Sequence, residues 1–107
     1  LRRVLPDEGV GLWSGQGREA RTWTFLPNAA RDRRTRYAVH PQDWIDALQG
    51  CSSRGEVPLA LVHSHPTAPA VPSHYDRTHW HYPELWCVIV SFADETPQWN
   101  AYRLGPE

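Results

Sequence analysis

Lysine and methionine are absent from this chain, and all eleven of its basic residues that carry a fixed charge are arginines. Without lysine, the domain has no internal ε-amine on which to carry an isopeptide-linked modifier. Without methionine, a chain beginning at Leu1 reads as the trimmed or processed form of a longer product. Cysteine is scarce: Cys51 and Cys87 have no C-x-x-C spacing, which excludes a zinc ribbon or a dithiol redox motif. Cys87, inside Trp86-Cys87-Val88-Ile89-Val90, reads as a small buried hydrophobe, and neither thiol reads as a nucleophile or a ligand. A disulfide between them is disfavoured in a reducing compartment. No apolar run approaches the ~20 residues of a membrane span, and no signal-peptide pattern is present, so no membrane is expected and the default location is cytoplasmic. The formal net charge of −1 gives no support to nucleic-acid binding.

What is present suffices for one domain. A chain of 107 residues with 40% apolar side chains and six tryptophans can bury a core without staples. Strand-like runs alternate with helical ones: Arg21 to Leu26, Tyr37 to Val39, Val57 to Val62, Leu85 to Phe92 and Trp99 to Leu104 read as strands. Leu1 to Leu5 reads as the last turn of a helix ended by Pro6. Pro41 to Leu48 reads as a helix with Trp44, Ile45 and Leu48 as its apolar stripe, followed by a loop from Gly50 to Gly55. A second helix is expected from Ser73 to about His81. The rhythm is not a strict βαβ alternation, so the expected fold class is mixed α/β: one compact domain, a mixed sheet flanked by helices.

The chemistry concentrates in one string, His63-Ser64-His65-Pro66, six residues, then Ser73-His74-Tyr75-Asp76. Histidines at i and i+2 share one face of a strand. Pro66 stops the strand, Pro69 and Pro72 stiffen the loop, and Ser73 reads as a helix N-cap with Asp76 in the first turn. Two imidazoles and a carboxylate leave a fourth tetrahedral position for water, the construction of a hydrolytic zinc site. H-x-H alone is better explained by two packing histidines at a strand end; the full string fixes several residue types at fixed offsets. Of the other histidines, His79 and His81 point apart on a helix and make poor co-ligands, while His40 and His74 read as loop and helix-start residues. The arginine cluster Arg31, Arg33, Arg34 and Arg36 around Asp32 reads as a solvated loop, with a basic rim for an acidic partner tail as the second reading.

The string H-S-H-P-x6-S-x2-D resembles the signature of the JAMM (MPN-plus, JAB1-like) metalloproteases, zinc-dependent deubiquitinating enzymes and their prokaryotic relatives. Pro6-x-Glu8-x-x-Gly11-x-x-x-Gly15 is similar to the family's P-x-E-x-x-G-x-x-x-G segment. The resemblance covers most of the chain and implies a single domain over residues 1–107 with the JAB1/MPN (cytidine-deaminase-like) fold, its first helix curtailed. It implies one Zn2+ per chain on His63, His65 and Asp76, Glu8 as general base and later general acid, and Ser73 as an oxyanion donor. On the residues alone Glu8 is an ordinary surface carboxylate. Asn28 and Ser64 are the candidates for contact with substrate, although Asn28 after Pro27 also suits a turn. The short stretch from Asp76 to Leu85 leaves little room for the insertion that grips ubiquitin in eukaryotic members, which points to the compact prokaryotic branch. The activity implied is hydrolysis of a peptide or isopeptide bond after the tail of a ubiquitin-like or sulfur-carrier protein. The alternative is a catalytically silent MPN scaffold, which typically lacks the ligands present here.

Overall fold

The computed structural model describes residues 1–104. Five strands form one mixed sheet: β1 (Val10–Gln16), β2 (Glu19–Leu26), β3 (Val57–His65), β4 (Trp86–Ser91) and β5 (Gln98–Tyr102), in the order β2-β1-β3-β4-β5. Only β3 and β4 run parallel; the other neighbours are antiparallel. Among the described residues two helices complete it, α1 (Pro41–Ser53) and α2 (His74–Thr78), with a single 3-10 turn over Arg2–Val4.

Pleating sorts the side chains. Val10, Leu12, Leu61, His63, Cys87 and Ile89 share one face, because Val10 pairs with His63, Leu12 with Leu61, Leu61 with Cys87 and His63 with Ile89. Helix α1 packs on this face, where its Ala47 and Cys51 join Val10, Leu12, Leu26, Leu61 and Leu85 in one cluster; Cys87 and Ile89 join Ala70 and Leu104 in another, and α2 meets the face through Asp76 beside His63 and His65. Both cysteines are buried and free, in separate clusters. The opposite face carries Trp13, Trp23, Val62, Val90 and Phe92 against Leu1, and Trp13 meets Trp23 edge to face at 6.0 Å. Two glycines in the Pro6–Gly15 segment have steric reasons. A Cβ at Gly11 would strike the Trp23 ring, and one at Gly15 would strike the Glu19 carbonyl, beside the bulge where β1 shifts register.

Several elements differ from the sequence expectation. The N-terminal turn is 3-10 over three residues. No strand forms at 37–39; Asn28 holds that stretch instead, its Oδ1 accepting the N–H groups of Ala30 and Ala38. Helix α1 continues through Gly50 to Ser53. Its inward stripe is Ala47 and Cys51, buried, with Trp44 and Leu48 half-buried, whereas Ile45 is 46% exposed. One more turn buries Cys51, which outweighs the roughly 1 kcal/mol that an interior glycine costs a helix. His40, expected in a loop, is the N-cap, its Nδ1 accepting the Gln42 N–H. Helix α2 has five residues and stops at His79. Strand β5 is an edge strand, exposed at four of its five positions rather than alternating.

Candidate metal centre

The site lies where β3 ends. Because Val10 pairs with His63, the residues before β1 lie alongside the end of β3. His63 and His65 project to the helix-bearing face, and the alternation turns Ser64 to the other side. There the Ser64 Oγ accepts the Gly9 N–H at 2.7 Å, and the Ser64 N–H donates to the Gly9 carbonyl at 2.9 Å. Ser64, a candidate for contact with substrate, is fully buried and locks the Glu8 segment to the ligand strand. Asn28, the other candidate for contact with substrate, also ties this segment together. Its Nδ2 donates to the Glu8 and Arg36 carbonyls, both at 2.9 Å, and its Oδ1 takes two N–H groups, so both ends of its amide are engaged within the chain.

The proline-rich loop returns the chain to the histidines. Its carbonyls are clamped by side chains that spacing did not reveal: Ser91 Oγ donates to Ala68, Tyr102 OH and Asn100 Nδ2 donate to Ala70, and Pro69 lies 2.8 Å from His65 Nδ1. The first three donors come from β4 and β5, far along the chain, so no local motif could announce them. Helix α2 then opens with a reciprocal capping box: Ser73 Oγ accepts the Asp76 N–H at 3.0 Å, and Asp76 Oδ2 accepts the Ser73 N–H at 2.9 Å. The cap thus aims Asp76 inward. Its Oδ2 stands 3.2 Å from His63 Nε2 and 3.1 Å from His65 Nε2, and the two Nε2 atoms are 3.1 Å apart.

These three atoms form a nearly equilateral triangle. Donors ~2.0–2.1 Å from a tetrahedral zinc stand about 3.3 Å apart, so the triangle is close to what such an ion requires. The donor chemistry agrees. The Pro69 carbonyl accepts His65 Nδ1–H, which leaves its Nε2 a lone pair facing the cluster. Glu8 adds a carboxylate oxygen within 4.8 Å of the same atoms. Its Oε1 and His63 Nδ1 are buried with no hydrogen-bond partner among the described residues. A cluster of converging acceptors with an unsatisfied buried oxygen fits a bound cation.

Electrostatics separates the two carboxyls. Burial pushes Glu8 up to about 7, opposed by His65 and reinforced by Asp76 and Asp32. Burial also acts on Asp76, but when protons rather than a cation occupy the two Nε2 positions, their hydrogen bonds outweigh burial and hold that carboxyl well below the usual range. Burial lowers His63; for His65 the hydrogen bonds to Asp76 and Pro69 overcome burial and raise it.

Two clefts flank the centre. One, of about 130 Å3, is lined by Glu8, His65 and Ser73 together with Arg34, Thr35 and Pro66. The other, about 200 Å3, is walled by Tyr37, Tyr75, Asp76, His79, His81 and Tyr82. Tyr37, unmarked by any sequence pattern, stacks on His63 with ring centroids 4.4 Å apart. His79 and His81 thus border the site without joining the ligand group, and His79 stacks on Tyr75.

A family described as prokaryotic homologs of the JAB domain matches residues 1–105. A probable TtuB-protein conjugate cleaving protease of Thermus thermophilus is 40% identical over 85 residues, covering 78% of this chain and 57% of the relative. The chain therefore spans just over half the length of that protein. A CysO-cysteine peptidase of Mycobacterium tuberculosis is 28% identical over 105 residues, 96% of this chain and 72% of its own. Among solved structures, a Desulfitobacterium hafniense protein superposes with a TM-score of 0.83 at 28% identity, over 94% of this chain and 71% of that one. A JAB1/MPN domain protein of Archaeoglobus fulgidus, at 24% identity and a TM-score of 0.60 over 94% and 74%, shares the fold. With the family match running almost end to end and proteases and peptidases among the relatives, this chain belongs to the prokaryotic branch of the JAB (JAMM/MPN) domain family.

Proposed function

We propose that this chain is a zinc-dependent peptidase that hydrolyses a peptide or isopeptide bond after the C-terminal tail of a ubiquitin-like or sulfur-carrier protein. The observation that carries the reading is the triangle of His63, His65 and Asp76 donor atoms at 3.1–3.2 Å beside the unsatisfied oxygen of buried Glu8. His63, His65 and Asp76 would hold the ion, which when bound lowers the pKa of water towards ~7 and polarises a carbonyl. The names of the Thermus and Mycobacterium relatives support the substrate class.

Glu8 stands near the ligand atoms without a hydrogen bond to them, a spacing that accommodates one water between. Its carboxylate takes a proton from the attacking water as the C–O bond forms. It returns that proton to the leaving nitrogen as the C–N bond breaks, giving a free carboxylate and a free amine. Burial suits both halves, because a carboxyl raised to about 7 is a stronger base than an exposed one and still holds the proton at neutral pH to return it. Ser73 accepts the Asp76 N–H through its oxygen lone pair, so its hydroxyl hydrogen is available to the oxyanion of the tetrahedral carbonyl. One such donor is worth about 3 kcal/mol in the transition state.

The test is intact-mass analysis of two substrates, a sulfur-carrier protein extended by one C-terminal amino acid and an isopeptide-linked ubiquitin-like conjugate. The wild-type protein is expected to process at least one, and Glu8→Gln to slow it by about 10^2–10^4-fold while keeping its zinc. Neither substrate cleaved and no zinc retained would overturn the reading in favour of a silent scaffold.

A further inference from the structure

The cleft shared by Glu8, His65 and Ser73 has one cationic wall. Arg34 lines it beside Thr35 and takes part in no ion pair among the described residues. The neighbouring arginines are engaged: Arg33 pairs with Asp7 at 3.3 Å, and the Arg36 guanidinium lies 4.6 Å from the centre of the Tyr75 ring. Nor is the loop free to drift. The Glu8 N–H donates to the Arg33 carbonyl, and Asn28 joins the Glu8 carbonyl to that of Arg36. Arg34 is therefore tethered, through main-chain links on either side, to the segment that carries the proton-transferring carboxyl.

We propose that Arg34 receives the α-carboxylate of a single amino acid released from the C-terminus of a carrier tail, and so selects that bond over isopeptide and internal peptide bonds. The inference rests on the peptidase reading above. Hydrolysis leaves the departing nitrogen beside Glu8, which protonates it. When the leaving group is an α-amino acid, its carboxylate is attached to the carbon next to that nitrogen. A cation on the Glu8 side of the cleft is then within reach. A departing lysine side chain places methylenes there, and an internal bond places a neutral amide; neither offers Arg34 an anion. Glu8 is a buried carboxyl lining this cleft, and a second carboxylate brought beside it meets a repulsion that the Arg34 guanidinium offsets. A guanidinium presents paired N–H donors that match a carboxylate, and at this exposed wall the pairing weakens with salt.

The experiment uses one carrier-tail peptide ending Gly-Gly-Ala in two forms, free acid and carboxamide. The zinc-loaded wild type is expected to prefer the acid by about 10- to 100-fold in kcat/KM, the range of a charge-assisted hydrogen bond. Arg34→Gln should bring the ratio to within about 3-fold of unity, and Arg34→Lys should keep much of it at low salt. A structural role for Arg34 would lower both rates together and leave the ratio intact. That result, or a wild type indifferent to the C-terminal charge, overturns the proposal. The same ratio is read without turnover from dissociation constants in the Glu8→Gln background. An acid preference in binding that Arg34→Gln abolishes, with no cleavage of either peptide by the wild type, would sustain the Arg34 assignment and remove the peptidase reading. No preference in binding removes the Arg34 assignment whatever the turnover.

Discussion

Glu56 and Glu8 stand at opposite ends of the β1–β3 pair, and both are drawn into polar clusters with serines and neighbouring strands. Glu56 is closed on itself: Oε1 accepts from Ser14 Oγ at 2.9 Å and from Arg54 Nε at 3.0 Å, and Oε2 accepts from Thr22 Oγ1 at 2.9 Å. Burial pushes its carboxyl up, but Arg54, Ser14 and Thr22 outweigh that and leave it below the ordinary value. At the other end Glu8 is raised, one of its oxygens has no partner, and the ligand-type atoms of His63, His65 and Asp76 lie within 4.8 Å of a Glu8 carboxylate oxygen. The first cluster balances donors against acceptors and needs nothing further. The second has acceptors in excess and is completed only by something positive. Donor–acceptor balance, rather than burial, distinguishes the structural cluster from the candidate site.

The largest effect should come from removing the negative ligand while keeping its cap. Asp76→Asn retains an oxygen for the Ser73 N–H, so α2 should persist, but zinc content measured after dialysis should fall at least 10-fold and peptidase activity with it. If zinc and activity both survive, the excess of acceptors is not a metal site. Ser64→Ala comes next. It leaves the Gly9 N–H without its 2.7 Å acceptor and loosens the Glu8 segment. The expected loss is about 1–2 kcal/mol in denaturant unfolding, and turnover should fall several-fold with zinc content intact. Unaltered turnover would show that Ser64 supports the fold alone.

The smallest effect is also the most direct test of the contrast, because the two glutamates carry opposite pH signatures. Glu8 has a raised folded pKa, so the stability linked to it is complete below the unfolded value near 4.5 and is lost as pH rises through about 7. Glu56 has a depressed one, so its contribution is present above 4.5 and is lost as pH falls through the folded value. In chelator-stripped protein, Glu8→Gln should therefore gain stability relative to the wild type between pH 4.5 and 7.5. Glu56→Gln should lose most at pH 7.5 and least in acid. Parallel curves for the two variants would erase the distinction.

Much of this was legible in the sequence, for identifiable reasons. The period of two in His63-Ser64-His65 fixes a common face for the imidazoles, and Ser73 with Asp76 three residues on is a local cap that needs no tertiary help. The same alternation could have placed Ser64 opposite the ligands, where it pins Gly9, because neighbouring strand residues cannot share a face. Asn28 was not decidable in this way: an asparagine after a proline suits a turn or a substrate contact, and only the fold brings Glu8, Arg36 and Ala38 to its amide. The end of α1 was misplaced because Gly50 signals a stop locally, whereas burial of Cys51 against Leu61 and Leu85 is decided by residues distant in sequence.

The burial of the two thiols has a practical consequence. Cys51 and Cys87 are almost wholly inaccessible, and burial pushes the Cys87 thiol up to about 12, so almost none of it is thiolate at neutral pH. On the peptidase reading proposed above, the protein has a diagnostic inhibitor fingerprint. Iodoacetamide and maleimides should leave the native protein's turnover untouched at concentrations that silence cysteine-dependent deconjugating enzymes, whereas a chelator should abolish it. In a crude extract where both kinds of enzyme process the same conjugate, that pair of reagents alone would assign the cleavage to one or the other.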